Sequence, residues 1–247
     1  MLTLYLSQRY LIFKPSHRYI LPQQMDNSPF TENILTMQDG TQIMTWYAEG
    51  KKSKPAILFF HGRSRQLAAY AEPLYAYIRQ EYGVLMMEYR NFGCTLGKTL
   101  QSKVFSDAAE TYDWLKTQGY PKIVVYGYSY GASVAAGLTA LRPVEMLILT
   151  SPFSSLKQLV KETLIPFASW LLKDKYPSDD YIRNYRNPLL ILHGDADKLI
   201  PIHHGQKLYE QSASTDKTFI AVKDCHHKPI FFEHLCQPAI LEWLQTR

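Results

Sequence analysis

Six short, nearly unbroken apolar runs, spaced by helix-length stretches, limit what this chain can fold into. They are Ala56–Phe60, Val84–Glu88, Lys122–Tyr126, Met146–Leu149, Leu189–Leu192 and Thr218–Val222. Such runs mark strands covered on both faces, as in a parallel sheet. The stretches at about 67–81, 103–118, 130–141, 203–212 and 236–246 have the length and polarity of helices. Alternation of this kind predicts right-handed βαβ units and an α/β fold with a doubly wound, mostly parallel sheet. Upstream, Asn33–Met37 and Gln42–Ala48 flank Asp39-Gly40, a hairpin signal, so the sheet is expected to open with an antiparallel hairpin. The stretch Ser154–Asn187 is too long for a plain crossover and holds Pro166, Pro177 and an apolar, helix-like run, Leu156–Leu172. It reads as a small lid insertion, about 154–187, over the carboxyl ends of the strands. With no internal repeat, residues 1–247 read as a single domain carrying that lid.

Composition narrows the function. The net charge, 27 − 22 = +5, is spread along the chain without a Lys/Arg block, so no nucleic-acid partner is expected. Cys94, Cys225 and Cys236 cannot all pair within the chain, which fits a reducing compartment and a cytoplasmic location. The N-terminal stretch Leu2–Phe13 is apolar but interrupted by Gln8 and Arg9. It falls short of the ~20 apolar residues of a spanning helix and lacks the features of a signal peptide. It is expected either to pack on the body or to make peripheral contact with a membrane surface; an anchor further upstream would make the protein membrane-associated. No dinucleotide or phosphate loop is evident.

The chemistry centres on Gly127-Tyr128-Ser129-Tyr130-Gly131. It follows the apolar run Ile123–Tyr126 and precedes the small-residue stretch Ala132–Leu138, giving strand, tight turn and helix. A serine in the middle of such a turn sits at the tip of a sharp bend with its hydroxyl exposed. The bracketing glycines suit a bend where a Cβ would collide with the neighbouring strand or helix. The helix start behind Ser129 aims free N–H groups at any oxyanion formed there. Ser129 therefore reads as a nucleophile. It needs a base and a group to orient that base, and in an α/β sheet these sit on loops after later strands. Two loops qualify. His193-Gly194-Asp195-Ala196-Asp197 follows one run, and Lys223-Asp224-Cys225-His226-His227 follows the next. Serine, acid and histidine then occur in the chain order suited to this architecture. The acid is Asp195 or Asp197, and the base His226 or His227. Cys225, His226, His227, His234 and Cys236 show no Cys-x-x-Cys or His-x-x-x-His spacing, so no metal is expected there. His203-His204 read as surface and capping residues.

Together these motifs resemble the α/β-hydrolase superfamily, in its branch of small-lidded serine hydrolases: carboxylesterases, acyl-protein thioesterases and serine aminopeptidase-like proteins. The resemblance runs from about Ile34 to Leu244. It rests on His61-Gly62, Glu88-Tyr89-Arg90-Asn91-Phe92-Gly93, the serine turn, the phrase Asp107–Leu115, and His193-Gly194-x-x-Asp197-x-x-x-Pro201. It implies Asp197 as the acid, with Asp195 bracing the loop, and His227 as the base, with His226 where the family has glycine. It also implies an oxyanion hole from the backbone N–H groups of Arg63 and Tyr130. Where the branch has small or amide residues after His-Gly, this chain has Arg63-Ser64-Arg65, either a solvated loop or a reader of an anionic substrate group. The expected activity is a serine hydrolase cleaving ester or thioester bonds of a small-molecule or acylated substrate through an acyl-enzyme, without metal or organic cofactor. Two alternatives stand beside it. One is an aminopeptidase-like enzyme, needing an acidic anchor for which Asp174, Asp179 and Asp180 are candidates. The other is a non-catalytic binding protein on the same fold.

Overall fold

A computed structural model describes residues 8–9, 12–163 and 166–247. Its centre is an eight-stranded sheet: β1 Thr31–Thr36, β2 Gln42–Ala48, β3 Ala56–Phe60, β4 Gly83–Met87, β5 Ile123–Tyr128, β6 Met146–Thr150, β7 Leu189–Gly194 and β8 Lys217–Val222. The spatial order is β1-β2-β4-β3-β5-β6-β7-β8. β2 runs antiparallel to both β1 and β4, while β4, β3 and β5 to β8 are parallel. Each of the six apolar runs is a strand, and β3 to β7 are buried at every residue.

Burial on both faces follows from the period of two along a strand. Leu58, Leu85, Val125, Leu147 and Ile191 face one hydrophobic layer, while Ile57, Phe59, Val84, Val124, Ile148 and Leu190 face the other. The first layer is closed by helices α3 Gln101–Thr117, α4 Tyr130–Leu138 and α7 His203–Gln211. On α3 the apolar contacts come from Val104, Ala108, Tyr112 and Leu115, the stripe expected of an amphipathic helix. The second layer is closed by α1 Ala68–Ala71, α2 Tyr75–Arg79, α8 Pro229–Phe232 and α9 Gln237–Gln245.

One expected helix is divided at a proline. The stretch 67–81 becomes α1 and α2 joined by a 3-10 turn, Glu72–Leu74. Pro73 in that turn has no N–H to donate and its ring crowds the preceding turn. Between β6 and β7, the run expected as one helix-like piece contains α5 Leu156–Thr163 and a separate 3-10 helix, Pro166–Leu171, before α6 Ser178–Ile182. This segment is tied back to the body. Asp174 accepts hydrogen bonds from Arg9 Nε at 2.8 Å and from the Gln101 N–H at 3.1 Å. Tyr176 is fully buried, its hydroxyl 2.7 Å from that of Tyr130.

Most of the apolar N-terminal stretch 2–13 lies outside the described residues. Phe13 at its end is buried edge-on against Tyr130 at a centroid distance of 5.0 Å. Lys14–Pro15 then pairs with Ser64–Arg65 as a two-stranded parallel ladder. No helix among the described residues is long and apolar enough to cross a membrane.

Candidate active site

Ser129 occupies a backbone conformation that few non-glycine residues adopt, with φ +56° and ψ −118°. The bend is forced by how closely α4 turns back over the sheet. A Cβ on Gly127 would run into the backbone of Gly131 and Ala132, and one on Gly131 into the Phe60 carbonyl. Only glycine permits those approaches. The Ser129 N–H donates to the Thr150 carbonyl at 2.8 Å, fixing the tip between β5 and β6. The Tyr130 N–H, at the first position of α4, has no acceptor among the described residues.

Ser129 Oγ lies 2.9 Å from His227 Nε2, and His227 Nδ1 lies 2.6 Å from Asp197 Oδ2. Residues 98 and 30 positions apart in the chain thus share one hydrogen-bonded line. Asp197 is fixed from both ends: Oδ1 accepts the N–H groups of Leu199 and Ile200, each at 2.9 Å. Burial opposes ionisation of this carboxyl, but hydrogen bonds from His193 and His227 outweigh it and hold Asp197 below the usual carboxylate range. His193 Nε2 gives most of its hydrogen bond to the Ile200 carbonyl at 2.8 Å and sits 3.5 Å from Asp197 Oδ2, so its share is the smaller one. An ionised carboxylate only accepts, so His227 carries its proton on Nδ1 and turns the Nε2 lone pair toward Ser129.

The alternatives left open by the sequence are placed elsewhere. Asp195 is exposed, and its N–H pairs with the Val222 carbonyl. His226 is also exposed, with Nδ1 donating to the Ala196 carbonyl at 2.8 Å. In the position where the family has glycine, it ties the His227 loop to the Asp197 loop. Tyr128 steadies the same loop, its hydroxyl donating to the His227 carbonyl at 3.0 Å and its ring stacked on Phe231.

The loop after β3 is braced from both sides. His61 Nε2 lies 2.9 Å from Glu88 Oε1, and both side chains are buried. Glu88 Oε2 accepts the Leu67 N–H at 3.1 Å, and His61 Nδ1 donates to the Gly62 carbonyl at 2.8 Å. Both residues stand in sequence motifs, but their pairing is visible only in the strand order. Phe60 pairs with Met87, which sets the next residues, His61 and Glu88, side by side. Arg63 is half-buried and tied to the N-terminal segment. Its carbonyl accepts the Lys14 N–H, and its guanidinium donates to the Ile12 carbonyl at 2.9 Å. Arg65 is exposed, its guanidinium 5.3 Å above the Phe232 ring.

Comparison with known proteins agrees with this architecture. The family described as "Serine aminopeptidase, S33" matches residues 51–186 and 179–234. An uncharacterized protein of Mycobacterium tuberculosis is 30% identical over 228 residues, covering 89% of this chain and 80% of that protein. The lysophosphatidylserine lipase ABHD12 of Xenopus tropicalis is 31% identical over 193 residues, covering 69% of this chain and 50% of the lipase, so the chain spans half the lipase's length. Among solved structures, an esterase of Pyrococcus furiosus superposes with a TM-score of 0.76 over 95% of this chain and 97% of its own, at 21% identity. The chain therefore belongs to the serine aminopeptidase S33 family of the α/β-hydrolase superfamily and is a hydrolase of the serine type.

Proposed function

We propose that this protein hydrolyses carboxylic esters or thioesters through an acyl-enzyme on Ser129. The observation that carries the reading is the unbroken hydrogen-bond line Ser129–His227–Asp197, at 2.9 and 2.6 Å, ending on a serine at a sharp turn. Ser129 Oγ attacks the substrate carbonyl as its proton passes to His227 Nε2. Asp197 orients the ring and stabilises the imidazolium so formed. The oxyanion is held by the N–H groups of Tyr130 and Arg63, each such donor worth about 3–4 kcal/mol in the transition state. His227 then protonates the leaving alkoxide or thiolate. Water, activated by the same imidazole, releases the acid and restores the hydroxyl of Ser129. No metal or organic cofactor enters these steps.

The segment 154–187 serves in this reading as a small lid, and its length suits short or medium acyl chains. The aminopeptidase alternative needs an acidic group left over to hold a substrate amine. Its three candidates already have partners: Asp174 with Arg9, Asp179 with Lys207 at 2.7 Å, and Asp180 with Arg183 at 3.4 Å. The test is turnover of p-nitrophenyl esters, matching thioesters and aminoacyl anilides across a chain-length series. Expected is ester or thioester turnover with an optimum at short or medium chains. Turnover of anilides alone would contradict the reaction, and an optimum at long chains would contradict the lid.

A further inference from the structure

Helix α7 opens with two histidines that converge on one carboxylate. His203 Nε2 lies 3.0 Å and His204 Nε2 3.1 Å from Glu162 Oε2, which comes from α5. The three ligand atoms all fall within 4.8 Å of one another. The two rings stack, centroids 4.5 Å apart and planes 28° from parallel, so their Nε2 edges lie side by side.

His204 separates this cluster from an ordinary surface ion pair. Its ring is fully buried, and Nε2 makes no well-formed hydrogen bond although Glu162 is near. A buried polar atom left in that state costs stability, and native proteins seldom tolerate one without cause. Its other nitrogen lies 2.9 Å from Ser154 Oγ, the kind of outer partner that orients a metal-bound imidazole. With the ring proton on Nδ1 and donated to that hydroxyl, the Nε2 lone pair faces Glu162. The Ser154 N–H donates to Nδ1 at 3.3 Å, and zinc binding at Nε2 exchanges this longer hydrogen bond for the one from Nδ1–H to Ser154 Oγ. The tautomer change alters no charge.

We propose that Glu162, His203 and His204 form a binding site for a divalent transition-metal ion, zinc fitting best. Two imidazole nitrogens and one carboxylate oxygen suit zinc and disfavour magnesium or calcium, which prefer oxygen ligands alone. Zinc bonds of about 2.0–2.1 Å in a tetrahedron place ligand atoms roughly 3.3 Å apart. The two separations from Glu162, 3.0 and 3.1 Å, need to open by a few tenths of an ångström, and the two imidazole nitrogens lie within 4.8 Å of each other. Glu162 and His203 are exposed, so the ion has an entry path and water completes the fourth position. The site joins α5, in the segment between β6 and β7, to α7, which starts just beyond the Asp197 loop. Its effect is to pin that segment in place, whichever reaction Ser129 performs.

The test uses the full chain stripped with a chelator, then titrated with zinc chloride by calorimetry and by thermal melting. Expected are one zinc per chain and a higher melting temperature with zinc but not with magnesium chloride. His203→Ala and Glu162→Gln, both at exposed positions, should melt normally in chelator yet bind zinc at least tenfold more weakly. Cobalt in place of zinc should give the intense visible absorption of a tetrahedral site in the wild type alone. Absence of zinc binding, or binding by His203→Ala and Glu162→Gln equal to that of the wild type, would overturn the proposal.

Discussion

At the scale of single residues, Ser129, the proposed nucleophile, sits on a strained backbone. A φ of +56° on a side-chain-bearing residue costs of order 1–3 kcal/mol, supplied by the surrounding fold. Ser129→Ala keeps the Cβ and the strain, whereas Ser129→Gly releases it. Both variants should be inactive, and the glycine variant should be more stable than the alanine one by about 1 kcal/mol in urea unfolding. Equal stabilities would show the turn to be relaxed. Asp197 makes a second prediction. Its carboxyl titrates lower in the folded protein than its ordinary value of 3.8, so its stabilising contribution is fully present above that value. It is lost as pH falls through the lower, folded value. Asp197→Asn should therefore be less stable than wild type near neutrality, with the gap closing in strong acid, and should lower kcat by about 10⁴. A gap independent of pH would mean that the carboxylate charge is not what stabilises. The residues themselves left Asp195 against Asp197 and His226 against His227 open. Burial and backbone pairing separate them, because Asp195 and His226 point outward while Asp197 and His227 do not.

At the scale of elements, the strands were legible because five of them are buried on both faces and so must be apolar throughout. The helix starts were legible too, as at Tyr130 and His203. What periodicity alone did not show is where proline divides a helix, as at Pro73. Nor did it show how closely α4 passes over β3. That approach makes Gly131→Ala a severe change, since a methyl group there meets the Phe60 carbonyl rather than a flexible side chain. A loss of about 3 kcal/mol or more is expected in chemical denaturation, beyond the usual range for a surface alanine. A near-neutral result would mean that the helix can lift away from the sheet.

At the scale of the whole molecule, the sheet order gathers His61 and Glu88 on neighbouring strand ends, and Ser129, Asp197 and His227 on loops that meet. Ties such as Arg9 to Asp174 and Tyr176 to Tyr130 were not legible in the sequence, because they join side chains far apart in the chain whose meeting depends on packing. Asp174→Asn weakens the hold on the segment between β6 and β7, so limited proteolysis should cut within 154–187 faster than in wild type. Unchanged cutting would show that the aromatic contacts suffice. Whether Ser129 is a nucleophile is read most directly from the intact mass of the protein after treatment with a fluorophosphonate. Expected is one adduct per chain, mapped to the peptide containing Ser129, absent from Ser129→Ala and formed far more slowly by His227→Ala. An adduct on Ser129→Ala equal to that on the wild type, or one mapped to another residue, would contradict a nucleophile at the turn after β5.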